Sequence, residues 1–156
     1  MNTDYDKNIA TKIILKFGNR PEMLVQILHA FVERFDWLSE ETVRQISSEL
    51  NLSRAEVWGV VRFYHDFRTE PPGRTVVKIC QSEACQAMGS RELTAHAEKT
   101  LGINMRSTSG NGKHTLEPVY CLGNCACSPA VMIDQQVYGR VDTKRFDSLI
   151  ADAESQ

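Results

Sequence analysis

The chain has no long apolar run. Its longest, such as Val76–Val77 and Ala130–Ile133, are only a few residues, far short of the roughly 20 that a membrane-spanning helix needs. It has no surplus of one charge either. Net charge is −2, with 9 Lys+Arg against 11 Asp+Glu in residues 1–70 and 9 against 9 in residues 71–156. Neither half therefore carries the basic excess of a nucleic-acid surface. The nucleotide-binding glycine motifs are absent: Gly110-Asn111-Gly112 runs into Lys113-His114-Thr115 and fits neither G-x-G-x-x-G nor the phosphate loop, so NAD or ATP is not expected to bind by those routes. No nucleophile–base pair is recognisable, and no catalytic residue is expected. The opening MNTDYDKNIATK is polar and partly acidic, without the apolar core of a secretory signal or the Arg-rich, acid-poor character of a transit peptide, which points to the cytoplasm.

What is present is ordinary in bulk, with 42% hydrophobic and 24% charged residues, and unusual in one respect: five cysteines. A reducing compartment disfavours a disulfide framework, and an odd count disfavours simple pairing, so metal or redox chemistry leads. The chain changes character at Glu70-Pro71-Pro72-Gly73, which predicts a helical region over 1–72 and a second domain over 73–156. In the first, Pro21 suits a helix start and Leu24, Ile27, Leu28, Phe31 and Phe35 form one apolar stripe. A second helix follows Ser39, with Glu40 and Glu41 at its positive end and Val43, Ile46 and Leu50 facing inward. Asn51-Leu52-Ser53 reads as a turn, and Ser53-Arg54-Ala55-Glu56 as a capping box opening a third helix through Val57, Val60, Val61 and Tyr64. A further short helix is expected near residues 8–17.

In the second domain, Thr75–Ile79 is β-branched and reads as a strand ending at Cys80; Arg91–Leu101 is a helix stopped by Gly102. Ser107–His114 reads as a loop or hairpin end, Thr115–Tyr120 as a strand ending at Cys121, and Ala130–Ile133 and Gln136–Val141 as strands joined at Asp134-Gln135. Lys144–Asp152 closes the chain as a helix. The predicted class is α/β: a helical bundle, then a small mixed sheet flanked by helices.

Two cysteine pairs stand out, Cys80-x4-Cys85 and Cys121-x3-Cys125, each at the end of a predicted strand. If those strands are parallel neighbours, the crossover returns the second pair beside the first. Structural zinc sites favour short knuckles around one ion, and these spacings lie at the loose end of that range. A two-iron cluster is larger and needs ligands set further apart, with backbone N–H groups from the loops offsetting its negative charge. Gly123 would let the backbone approach closely, and Ala84, Leu122 and Ala126 could screen such a cluster. On spacing alone a four-cysteine zinc site remains open, as do inert packed cysteines. Cys127 reads as a small packing residue, with a spare ligand as the alternative.

Other signals are weaker. Residues 41–66 could be read as a helix-turn-helix, but Arg54 and Arg62 are offset by Glu56 and Asp66 in an acidic half-chain. Trp58, Phe63, Tyr64 and Phe67 could make a partner-facing patch, with core packing as the default. His65-Asp66 has the look of a solvated pair, and His29, His96 and His114 show no ligand spacing to the cysteines.

Taken together, Cys80-x4-Cys85 followed by Cys121-Leu-Gly-Asn-Cys125-x3-Pro129 resembles the thioredoxin-like [2Fe–2S] ferredoxin family, which includes the 24 kDa subunit of respiratory complex I and matching subunits of NAD-linked hydrogenases and formate dehydrogenases. Leu28-His29-Ala30, Phe35-Asp36-Trp37-Leu38, Glu56-Val57-Trp58-Gly59-Val60 and Phe67–Gly73 fall in the family's order. Phe63–Arg68 and Glu83–Gly89 look most like the gamma subunit of soluble, molybdenum- or tungsten-containing, NAD-dependent formate dehydrogenases. Complex I relatives more often have a glycine in the first cysteine loop and a histidine after its second cysteine, where this chain has Ser82, Glu83 and Gln86. The resemblance implies a thioredoxin-like domain with Cys80, Cys85, Cys121 and Cys125 as ligands of one [2Fe–2S] cluster. It also implies an electron-transfer role beside a flavin- and NAD-binding partner subunit docked by the helical region, with a catalytic molybdenum or tungsten subunit as a further partner through it. Substrate chemistry would belong to those subunits. A cis peptide before Pro129 is a further expectation from thioredoxin-like folds.

Overall fold

The computed structural model describes residues 5–155. The chain divides between Pro71 and Pro72 into two compact units, each with its own core.

Among its described residues the first unit contains four α-helices: α1 (Lys7–Lys16), α2 (Leu24–Phe35) after a 3-10 turn at Pro21–Met23, α3 (Glu40–Leu50) and α4 (Arg54–Phe63). Their boundaries follow from local chemistry. The Asp6 carboxylate accepts the N–H groups of Asn8 and Ile9 at the start of α1, and Ser39 accepts that of Thr42 at the start of α3. Ser53 and Glu56 form the reciprocal capping box of α4. Asp36 and Asn51 end α2 and α3 in the left-handed conformation, which short polar side chains tolerate. The predicted stripe of α2 is buried throughout, and it meets Ala10 and Ile14 of α1, Val43, Ile46 and Leu50 of α3, and Val57 and Val61 of α4. Trp58 packs partly on this core and Phe67 is buried in it, whereas Phe63 (74% exposed) and Tyr64 (41%) stand outside it. The four aromatics therefore divide between core and surface.

The second unit is built on a five-stranded sheet in the order β2-β3-β1-β4-β5, with β1 Thr75–Cys80, β2 Ser107–Thr108, β3 His114–Val119, β4 Val131–Ile133 and β5 Gln136–Tyr138. Strands β1 and β3 are parallel and every other pairing is antiparallel. The connection from β1 to β3 runs through α5 (Glu83–Ala87), α6 (Ser90–Leu101) and β2. Helix α7 (Thr143–Glu154) follows β5. Val77, Ile79, Leu116, Val131 and Ile133 lie on one face of the sheet and form a single core with Leu93 and Ala97 of α6 and Phe146 and Ile150 of α7. On the opposite face, neighbouring Lys78 and Glu117 approach to 3.8 Å. Both long helices thus flank one face of the mixed sheet.

Two elements are additional to the sequence reading. The five-residue α5 is too short to show a helical period, and the two-residue β2 lies in the expected loop or hairpin end, where it pairs antiparallel with β3. Strand β5 also stops at Tyr138, short of the expected Val141. Gly139 leaves the ladder there and Arg140 is left-handed (φ 52°). The Ser128–Pro129 peptide is cis.

Candidate metal centre

Parallel pairing of β1 with β3 creates the site. The register sets Cys80 opposite Val119, so the chain leaves both strands at the same end of the sheet and Cys121 follows just beyond. Gln81 N–H donates to Val119 O at 2.7 Å and Cys80 N–H to Ala130 O at 3.0 Å. These bonds tie the first cysteine segment to the neighbouring strands. Cys85 comes from α5, and Cys121 and Cys125 from the loop after β3, with Cys125 opening a 3-10 turn over Cys125–Cys127.

The two pairs differ in exposure. Cys80 and Cys85 are buried (2% and 1% exposed) beside Ala130, with Val119 and Leu122 packed against them, whereas Cys121 and Cys125 face outward. Of the three expected screening residues, Leu122 packs against the buried pair, while Ala84 is half-buried and Ala126 exposed. All five cysteines are free thiols.

Polar groups surround the sulfurs. Cys80 Sγ and Ser82 Oγ are 3.2 Å apart, Cys85 Sγ donates to Ser128 Oγ at 3.6 Å, and Gly123 N–H donates to Cys121 Sγ at 3.3 Å. Ser128 Oγ in turn donates to Cys125 O at 2.8 Å. Gly123 has φ +70° and open space where a Cβ would stand. Conformation is therefore what calls for glycine in that loop.

Ionisation links the four thiols. Burial is the largest influence on Cys80 and opposes its charge; the Ser82 hydroxyl and N–H, the Cys85 thiol and the Leu122 N–H outweigh it and hold the thiol below its ordinary range. The Leu122 N–H comes from the second cysteine loop, which thus reaches the first pair's sulfur. Cys125 is pushed up, first by the charge of Cys121, then by desolvation and hydrogen bonding with Cys121, then by the charges of Cys85 and Cys80. The structure therefore brings all four sequence-identified cysteines into one electrostatic neighbourhood. Among the described residues, no three His, Cys, Asp or Glu side chains gather as tightly as a single ion requires.

This donor set fits an iron–sulfur cluster. Soft thiolates are the ligands such clusters take, and N–H and O–H donors toward sulfur are what tune them. Ser82 and Ser128 were not legible as site residues in the sequence. Their only signal is a serine close to a cysteine, which is common enough to mean little without the contact distances.

A thiol-lined site at the end of a mixed sheet with parallel central strands and helices on one face defines a thioredoxin-like iron–sulfur protein. The chain belongs to the thioredoxin-like [2Fe-2S] ferredoxin family, whose model matches residues 10–154 and whose cofactor is a [2Fe–2S] cluster. It is 31% identical over 129 residues to a subunit of the NADH-quinone oxidoreductase of Buchnera aphidicola subsp. Baizongia pistaciae, covering 83% of this chain and 75% of that one. It is 28% identical over 129 residues to the HndA component of the NADP-reducing hydrogenase of Solidesulfovibrio fructosivorans, with 83% and 75% covered. In a crystal structure of an air-oxidised NAD+-reducing [NiFe]-hydrogenase, 23% of the matching chain aligns with 86% of this one at TM-score 0.73 and 23% identity. That last likeness is one of fold.

Proposed function

We propose that Cys80, Cys85, Cys121 and Cys125 hold a [2Fe–2S] cluster, and that the chain is the electron-transfer subunit beside a flavin- and NAD-binding partner. The observation that carries this reading is the convergence of the four thiols at one end of the β1–β3 pair. When bound, the cluster supplies one-electron chemistry, the complement of a flavin that exchanges electron pairs with NAD. The chain's own residues do the rest. Val119, Leu122 and Ala130 exclude water from Cys80 and Cys85. Ser82, Leu122 N–H and Gly123 N–H direct donors at sulfur and stabilise added negative charge. Exposure of Cys121 and Cys125 leaves one side open to a partner, since electron transfer needs a short approach. Phe63 and Tyr64, projecting from the helical unit, supply apolar surface for docking. The compartment in this reading is the cytoplasm, where free thiols persist.

For the particular complex, we infer a molybdenum- or tungsten-containing, NAD-dependent formate dehydrogenase, on the strength of Phe63–Arg68 and Glu83–Gly89. The similarity to quinone-oxidoreductase and hydrogenase subunits favours a second reading, the equivalent subunit of complex I or of an NAD-linked hydrogenase. A tagged chain purified anaerobically from its source tests both levels. Iron and acid-labile sulfide near two each, as a two-iron cluster requires, with an EPR signal only after reduction, is the expected result. Stoichiometric zinc without sulfide overturns the cluster. Co-purification of a flavin subunit with a molybdenum or tungsten subunit, and reduction by formate, supports the first complex; nickel or quinone-reductase subunits support the second.

A further inference from the structure

Gly139 lies well away from every proposed ligand in sequence, yet it abuts the loop that carries Cys125. A Cβ built on it would stand 2.6 Å from Asn124 Nδ2, 2.7 Å from Cys127 Cβ and 2.8 Å from Cys127 O. Its φ is not in the left-handed region, so conformational freedom is not what calls for glycine there. Close approach is. The Asn124 amide is the end of a flexible side chain and could swing away. Cys127 Cβ and O are part of the loop's own frame and cannot move without the loop.

The next two residues fasten the same loop. Arg140 N–H donates to Cys127 O at 2.6 Å and Val141 N–H to Pro129 O at 3.0 Å, while Cys127 N–H closes the turn on Asn124 O at 3.0 Å. Cys125 sits inside that turn, and Ser128, which meets both the Cys85 thiol and Cys125 O, follows it. The backbone after β5 therefore forms a floor beneath the second cysteine loop, and the missing side chain sets how closely loop and floor meet.

We propose that Gly139 is a positioning residue for the metal centre: through Cys127 and Asn124 it sets where the Cys125 sulfur stands relative to the other three. This rests on the cluster reading above. An added methyl has no space without displacing the turn, and packed regions resist such insertion. Gly73 provides a matched control. A Cβ there would meet His114 C and N at 2.8 and 2.9 Å, equal crowding at the opposite end of β1 from Cys80.

The test compares Gly139→Ala, Gly73→Ala and the unaltered full-length chain, each purified with its cluster. Thermal melting, reduced-state EPR g values and the rate of cluster loss to a chelator are measured. Gly139→Ala is expected to displace the g values and to lose its cluster about tenfold faster. Gly73→Ala is expected to lower the melting temperature while leaving g values and loss rate as in the parent. If Gly139→Ala melts lower but keeps the parent's g values and loss rate, its role is packing alone and the proposal falls. If both variants change the spectrum alike, the effect is global and the proposal falls too. Should Gly139→Ala not fold, the double variant Cys127→Gly/Gly139→Ala moves the methyl across the contact. Its g values must then differ from those of Cys127→Gly alone, and identity between the two overturns the proposal. A parent chain without iron and sulfide refutes the cluster reading itself, an outcome distinct from any difference among variants.

Discussion

Replacing Ser82 by alanine should lower the midpoint potential of the centre. Ser82 occupies the N-cap position of α5, where a serine hydroxyl ordinarily accepts a backbone N–H, yet it makes no such cap bond. Its hydroxyl lies 3.2 Å from Cys80 Sγ instead. Removing it therefore costs the helix little and deprives one sulfur of a donor. Reduction adds negative charge that is shared onto the thiolates, so a donor to sulfur stabilises the reduced form more than the oxidised form. A hydrogen bond to a charged group is worth about 1.5–3 kcal/mol in total; if about 1 kcal/mol of that is gained only on reduction, its loss lowers the potential by roughly 40 mV for one electron. The near-complete burial of Cys80 keeps water from replacing the donor. An EPR-monitored redox titration of Ser82→Ala and Ser82→Thr reads the effect directly, and threonine should restore most of it. A Ser82→Ala potential equal to or above the parent's would refute the reasoning, because it would mean the hydroxyl does not donate to sulfur.

Three further outcomes are expected. Cys121→Ser should abolish or distort the cluster while Cys127→Ser leaves it nearly intact; iron and sulfide analysis decides, and normal content in Cys121→Ser removes that residue from the ligand set. In the metal-free chain, the pH midpoint for alkylation of Cys125 should lie above that of an ordinary thiol, because neighbouring thiolates disfavour its charge. Cys121→Ser should lower that midpoint, as mass spectrometry across a pH series would register; an unmoved midpoint would contradict the proximity of the two sulfurs. In the cores, Phe146→Ala should destabilise by about 3–5 kcal/mol, whereas Ser53→Ala, losing half of a capping box on an exposed helix start, should cost only about 1 kcal/mol. Denaturant unfolding distinguishes them, and reversal of that order would mean the Phe146 site collapses around the gap.

The helices were legible because their signals are local. Ser39, Ser53 with Glu56, and the stripe from Leu24 to Phe35 each act within a few residues, and a sequence displays them directly. The strand ending at Cys80 was legible for a similar reason, as a β-branched run bounded by turn residues, and so was the strand before Cys121, which ends at Val119 rather than the expected Tyr120. Helix α5 was not, because so short a segment holds no period. Gly123 was picked out, yet the reason visible in the structure is its positive φ rather than close approach. Neither Ser82 nor Ser128 is recognisable as a site residue from the sequence. Their roles depend on contacts between segments: Ser128 meets Cys85 from 43 residues away, and no short-range pattern encodes such a meeting. The same holds for the shared face of α6 and α7, which emerges only when Phe146 and Leu93 are found in one core.

The sheet ends in short strands. On one edge is the two-residue Ser107–Thr108 and on the other the three-residue Gln136–Tyr138, while both six-residue strands have a neighbour on each side. A long unpaired edge is a template on which another chain can zip up, and short edges offer too few free N–H and C=O groups to start. With two-residue β2 pairing only Thr115 and Leu116 of β3, the chain gives copies of itself little ribbon to extend, and contacts with other chains are left mainly to side chains rather than to backbone pairing.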